Sequence, residues 1–170
     1  MSAPKSLVWV CVIWDSKMML RTHLALALII ILLFLPHITS NKMLFIVVTL
    51  VSTVLPDIDS GFSTVGKFKG LRPLQFLTKH RGVIHSLSFC ILISVLLSLA
   101  APLIAFSFFL GYAIHLFADS FTVEGITPFW PYSRISNWRL RTGGRIESTL
   151  FLVFVIIDLI LFFLIVQRIV

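Results

Sequence analysis

The sequence predicts an all-α integral membrane protein of about five transmembrane helices, with its N-terminus in the cytoplasm. Composition, the length of the apolar runs and the placement of basic residues carry that expectation. The chain is 58% hydrophobic and only 12% charged, which is too apolar for a soluble domain of this size. Its apolar residues are gathered into runs such as Leu24–Pro36, Leu87–Ala101 and Leu150–Val166. These approach the ~20 residues that cross a ~30 Å hydrocarbon core.

Five spans follow, over 22–39, 42–56, 84–100, 102–119 and 148–167. The second has the shortest apolar run, Met43–Pro56, and charge parity supports it. With all five counted, one side of the membrane receives Lys5, Lys17 and Arg21, then the basic residues of the 57–83 loop, then Arg134, Arg139, Arg141 and Arg145. Only Lys42 and Arg168, of 14 basic residues, fall on the other side. The positive-inside rule makes the basic side cytoplasmic and the C-terminus external. Removing the second span would carry the charged 57–83 loop outside and destroy the bias.

The net charge of +7 therefore reads as topology and attraction to anionic headgroups, and no nucleic-acid partner is expected. The bilayer is the expected partner, and the cell membrane the expected location of a multi-pass chain. Residues 129–132 (Phe-Trp-Pro-Tyr), with Arg134 and Trp138, have the composition of an interfacial belt. Cys11 and Cys90 imply no disulfide framework and read as small apolar residues. Residues 1–18 form an N-terminal extension ahead of a membrane-embedded domain over 19–170. Two readings of the extension stay open: an interfacial segment, or a translation start at Met18 or Met19.

Acids and histidines are costly in a membrane chain, so their positions carry information. A hairpin of the first two spans turning at Ser40-Asn41 places His23 opposite the interval between Asp57 and Asp59. A hairpin of the third and fourth turning near Ala101-Pro102 places His85 opposite the interval between His115 and Asp119. Both sets lie ~24–26 Å from their turns at helical rise. His80, Glu124 and Glu147 fall in the same cytoplasmic layer, whereas Asp15, His37 and Asp158 stand apart.

The motifs are individually short. His115 and Asp119, four residues apart, share a helix face and can share a metal, although a helix-end histidine satisfied by a neighbour would look the same. Leu55-Pro56-Asp57-Ile58-Asp59 ends a span and offers two carboxylates from irregular backbone, or simply makes a turn. His80-Arg81 and His85 bring two imidazoles and a guanidinium to the entrance of a span. Such donors suit zinc, manganese or iron, and the lack of a thiolate cluster argues against a structural zinc site. Gly61 to Lys67 matches the start of a P-loop, but Phe68 stands where Ser or Thr is needed, and no strand precedes it. It reads as a loop.

Taken in order, these residues resemble the family of membrane-bound metal-dependent hydrolases, the LexA-binding, inner membrane-associated hydrolase type. The matching elements are Arg21-Thr22-His23, Leu55-Pro56-Asp57-Ile58-Asp59, His80-Arg81-Gly82 with His85-Ser86, and Gly111-Tyr112 with His115-Leu116 and Asp119; Gly125 and Pro128 follow. The resemblance spans roughly 19–167 and implies a prokaryotic inner-membrane hydrolase. The His-xxx-Asp element has a much weaker likeness to zinc-dependent phospholipase C. Lipid phosphatases of the phosphatidic-acid type match poorly, for want of a Ser-Gly-His element.

The expectation is metal-assisted hydrolysis at the cytoplasmic ends of the helices. His23, Asp57, Asp59, His80, His85, His115 and Asp119 would hold one or two divalent ions, zinc or manganese first. Glu124 or Glu147 would serve as general base, and Arg81 would hold an anionic group such as a phosphate. A site at headgroup level beside a basic face favours an anionic phospholipid or another amphiphile. The rivals are a metal-ion transporter or sensor and a non-enzymatic scaffold with a structural metal. The first fits less well, because transporters hold their cargo near the bilayer midplane on broken helices.

Overall fold

The computed structural model describes residues 5–59, 83–123, 125–132, 135–138 and 144–169, with backbone alone for 5–19, 58, 59, 168 and 169. Among the described residues, five helices occupy the five places where spans are expected: α1 (Lys5–Phe34), α2 (Lys42–Val54), α3 (Leu87–Ser98), α4 (Pro102–Ser120) and α5 (Arg145–Ile169). No strand occurs among the described residues; Ile126 and Ser136 make a lone antiparallel bridge. Among the described residues, three stretches are long and apolar enough to cross a membrane: Leu20–His37, Pro102–Ser120 and Arg145–Gln167.

The other two helices are shorter than the apolar runs that contain them. α2 has 13 residues and α3 has 12, about 20 Å or less at helical rise. Local chemistry sets both limits. Pro56 cannot donate to the helix, and α2 tightens into a 3-10 turn over Leu55–Asp59. α3 starts only at Leu87, where Ser86 takes the N-cap and its Oγ accepts from Phe89 N at 3.2 Å. Both expected turns are present. Asn41, at φ 35°, caps α2 through Oδ1 and Leu44 N, and Pro102 opens α4.

α4 is the central helix, packed on α2, α3 and α1, while α5 packs chiefly on α1. The α2–α4 approach is close: a Cβ on Gly111 would meet Thr49 O at 2.2 Å and Ser52 Cβ at 3.0 Å. Small residues let membrane helices come together without a hydrophobic drive. The buried hydroxyls beside this contact are satisfied within their own helices, Thr49 on Phe45 O and Thr53 on Thr49 O, both at 2.8 Å. On the other side of α4, Tyr112, Phe108 and Leu116 pack with Cys90 and Ile126. Cys90 is thus the small core residue expected; the side chain of Cys11 lies outside the described set.

The segment after α4 closes one end of the bundle. Ile126 and Ser136 exchange backbone hydrogen bonds of 2.9 and 2.8 Å, and Trp138 N donates to Thr122 O at 3.1 Å. Gly125 takes φ +63° at this bridge, where a Cβ would lie 2.3 Å from Ser136 O. The first free N–H groups of α3, on Leu87 and Ser88, donate to Pro128 O at 2.9 and 3.2 Å. Phe129, Trp130, Tyr132 and Trp138 are exposed, as an interfacial belt requires.

Candidate metal centre

Four elements converge at one end of the bundle. α4 supplies His115 and Asp119, one turn apart and each 1% exposed. α1 supplies His23 and the residue preceding the α3 cap supplies His85, both buried. The 3-10 turn supplies Asp57, whose side chain retains 25% exposure and is the open edge of the group. Asp119 stands at the centre: its Oδ1 is 3.3 Å from His23 Nε2, and its Oδ2 is 3.5 Å from His115 Nε2 and 3.7 Å from His85 Nε2. Asp57 Oδ1 lies 3.9 Å from His115 Nε2. The His115 ring centroid is 4.4 Å from that of His23 and 5.6 Å from that of His85.

The contacts of His115 fix its tautomer. Its Nδ1 is 2.7 Å from Thr53 O, and a carbonyl can only accept, so the proton is on Nδ1. In a 3-10 pattern that carbonyl would bond the N–H of residue 56, which is proline and has none. Pro56 thus removes a competitor and leaves the carbonyl to the imidazole. In the neutral ring Nε2 then carries a lone pair, turned towards two carboxylates and buried without a hydrogen bond among the described residues. A lone pair facing carboxylates is repulsive unless a metal ion or a second ring proton lies between them.

The spacing fits that demand. Charge-assisted N–H···O bonds run ~2.7–2.9 Å, shorter than the 3.3–3.9 Å found here. Two ligands on one tetrahedral ion, with bonds of ~2.0–2.1 Å, stand ~3.4 Å apart. His23, His115 and Asp119, and likewise Asp57, His85 and His115, each present ligand atoms within 4.8 Å of one another. The donor set, imidazole with carboxylate, is the one zinc, manganese and iron accept.

Five of the seven expected ligands therefore meet: His23, Asp57, His85, His115 and Asp119. His80, Arg81 and Glu124 lie outside the described residues, as do the side chain of Asp59 and the loop from Gly61 to Lys67. Glu147 belongs to neither ligand trio but is close by in the fold. Its Oε1 accepts from Thr22 Oγ1 at 3.1 Å, on the residue before His23. His37 ends the turn after α1, far along the helix from His23.

The sequence leaves two readings of Asp158 open, a protonated carboxyl or a hydrogen bond to a hydroxyl such as that of Tyr112 or Ser94. The second is not found: Tyr112 donates to Ile84 O, and Ser94 donates to Cys90 O at 2.7 Å. The reason is packing: α5 lies on α1, away from the α3–α4 pair that carries both hydroxyls. The carbonyl of Thr53 had no sequence signal of its own, and Pro56 was the nearest clue to it. The hydroxyl of Thr22 lies in the Arg21-Thr22-His23 element, which gave it no role.

Fold and site together define an all-α membrane protein with a buried His/carboxylate cluster at one end of its helices. The chain matches the YdjM inner membrane protein family over residues 18–169, nearly its whole length, and belongs to that family. No curated protein and no solved structure matches it.

Proposed function

We propose that this chain is a membrane-bound metal-dependent hydrolase whose centre faces the cytoplasm and acts on an anionic, phosphoester-type amphiphile. The observation that carries the reading is the lone pair of His115 Nε2, buried and turned towards Asp57 and Asp119. His23, Asp57, His85, His115 and Asp119 would hold the ion. With Nδ1 committed to Thr53 O, His115 has one nitrogen to give, and the two trios that share it describe one ion. A divalent ion there supplies the Lewis acidity that makes water a nucleophile at neutral pH and polarises a phosphoryl oxygen.

The chain's own residues would do the rest. Four of the donors are buried, which fixes their orientation and excludes bulk water. Asp57 is the partly exposed one, so substrate would approach on its side. Glu147, which accepts from the hydroxyl of Thr22, the residue before His23, would serve as general base. Glu124 as an alternative base, Arg81 as an anion holder, and Asp59 and His80 as further ligands rest on the sequence.

The test is bound metal per chain and phosphoesterase turnover, measured on proteins purified in one detergent. His115→Ala is expected to lower metal content by at least about tenfold and to abolish turnover. His37→Ala, at the far end of α1, is expected to change neither. Full metal retention in His115→Ala overturns the centre. A second reading, an ion that only ties the helices together, draws on the burial of those four donors. In that case metal removal lowers thermal stability, and no phosphoester is turned over even with metal restored.

A further inference from the structure

α2 and α5 both pack on α1 but make no substantial contact with each other. Between them runs a cavity of about 930 Å³, walled by Leu24, Leu28, Val51 and Val155 among other apolar side chains. Two polar residues break that lining, Arg21 and Asp158. Arg21 is exposed at the end where the candidate metal centre lies, one residue before Thr22, which bonds Glu147. Asp158 is about 16 Å deeper, eleven residues beyond Glu147 on α5. It is nine-tenths buried, and its Oδ1 has no hydrogen bond among the described residues.

Leu28 and Val51 remain 39% and 57% exposed, so the groove opens sideways, towards lipid in a membrane. Leu55, at the end of α2, lines it too, and Asp57, the open edge of the centre, follows two residues later. A guanidinium at the mouth and hydrocarbon walls below complement one kind of molecule: an anionic headgroup on a long chain. Arg holds a phosphate in bidentate fashion, and apolar walls with a few placed polar groups are how small-molecule sites are made. Asp158 adds selectivity, as an acceptor for a hydroxyl or amide N–H carried along the chain.

We infer that the α1–α2–α5 groove binds the hydrocarbon chain of an anionic amphiphile whose headgroup is held by Arg21. As a substrate site this rests on the proposed hydrolase; as a binding site it stands without it. The measurement is the association of spin-labelled phosphatidic acid, against spin-labelled phosphatidylcholine with the same chains, with the whole protein in phosphatidylcholine nanodiscs. Wild type is expected to favour the anionic lipid by about tenfold, as one charge-assisted contact allows. Arg21→Gln should remove the preference, and Val51→Trp should lower occupancy by both lipids through filling the groove.

His115→Ala separates the two ideas. Groove binding should persist in it, and persistence with no metal in wild type would leave the groove standing while the hydrolase falls. No headgroup preference in wild type, or a preference kept by Arg21→Gln, overturns the groove assignment whatever the metal result. So does cysteine cross-linking that places α5 of a second copy in the groove. A Val51→Trp protein that unfolds is replaced by Leu28→Trp, and unchanged occupancy in the folded variant equally overturns it.

Discussion

Asp119 and His115 show how much a single side chain must do when it is buried in a membrane bundle. Asp119 faces three imidazoles, and each of its oxygens lies 3.3–3.7 Å from a histidine nitrogen. His115 is held from behind by Thr53 O and turned forward by that contact. Glu147 differs: it accepts from the Thr22 hydroxyl and stands outside both ligand trios. Its role is separable on that ground. Glu147→Gln should keep bound metal near one equivalent and cut turnover by ~10²–10⁴-fold, the usual worth of a general base. A loss of metal in this variant would make Glu147 a ligand instead. Asp158→Asn, far below the centre, should leave metal content unchanged.

At the scale of elements, the two short helices decide where the site lies. α2 stops at a proline and α3 starts late at a serine cap, so Asp57 and His85 sit at helix ends, on backbone free to turn inward. His115 and Asp119 lie on the last turns of α4 and meet them there. The registry between α2 and α4 depends on Gly111, where a side chain would strike the Thr49 carbonyl. Gly111→Val is expected to cost ~1–3 kcal/mol by overpacking, read as a lower unfolding temperature in detergent. It should also lower metal affinity, because Thr53 and Asp57 move with α2. A stable Gly111→Val protein with full metal would show that the centre does not depend on this contact.

The charge along the chain is unevenly distributed. Arg21 and Arg145 lie at the helix ends that carry the candidate centre, most other basic residues belong in sequence to the segments next to those ends, and Lys42 opens α2 at the other. The proposed orientation follows from that bias. Single cysteines at positions 67 and 145 should resist a membrane-impermeant thiol reagent in intact cells, and one at position 42 should react, in a background lacking Cys11 and Cys90. Ready labelling at 67 with protection at 42 would invert the topology and move the centre to the outside.

The all-α membrane class, the five helical segments and both hairpin turns were legible in the sequence. Run length, proline and charge placement act locally, and a bilayer leaves a buried backbone few alternatives to the helix. The convergence of His23, Asp57, His85, His115 and Asp119 was also legible, because folding two hairpins about their turns fixes relative height from residue count alone. Rotation about each helix axis and the choice of neighbours were not. Those depend on side chains from distant segments meeting, as Gly111 meets Thr49 and Thr22 meets Glu147. Asp158 illustrates the limit: its depth was readable from helical rise, but its surroundings were set by α5 packing on α1. The groove exists for the same reason, since two helices that share one neighbour without packing closely on each other leave a space no single segment encodes.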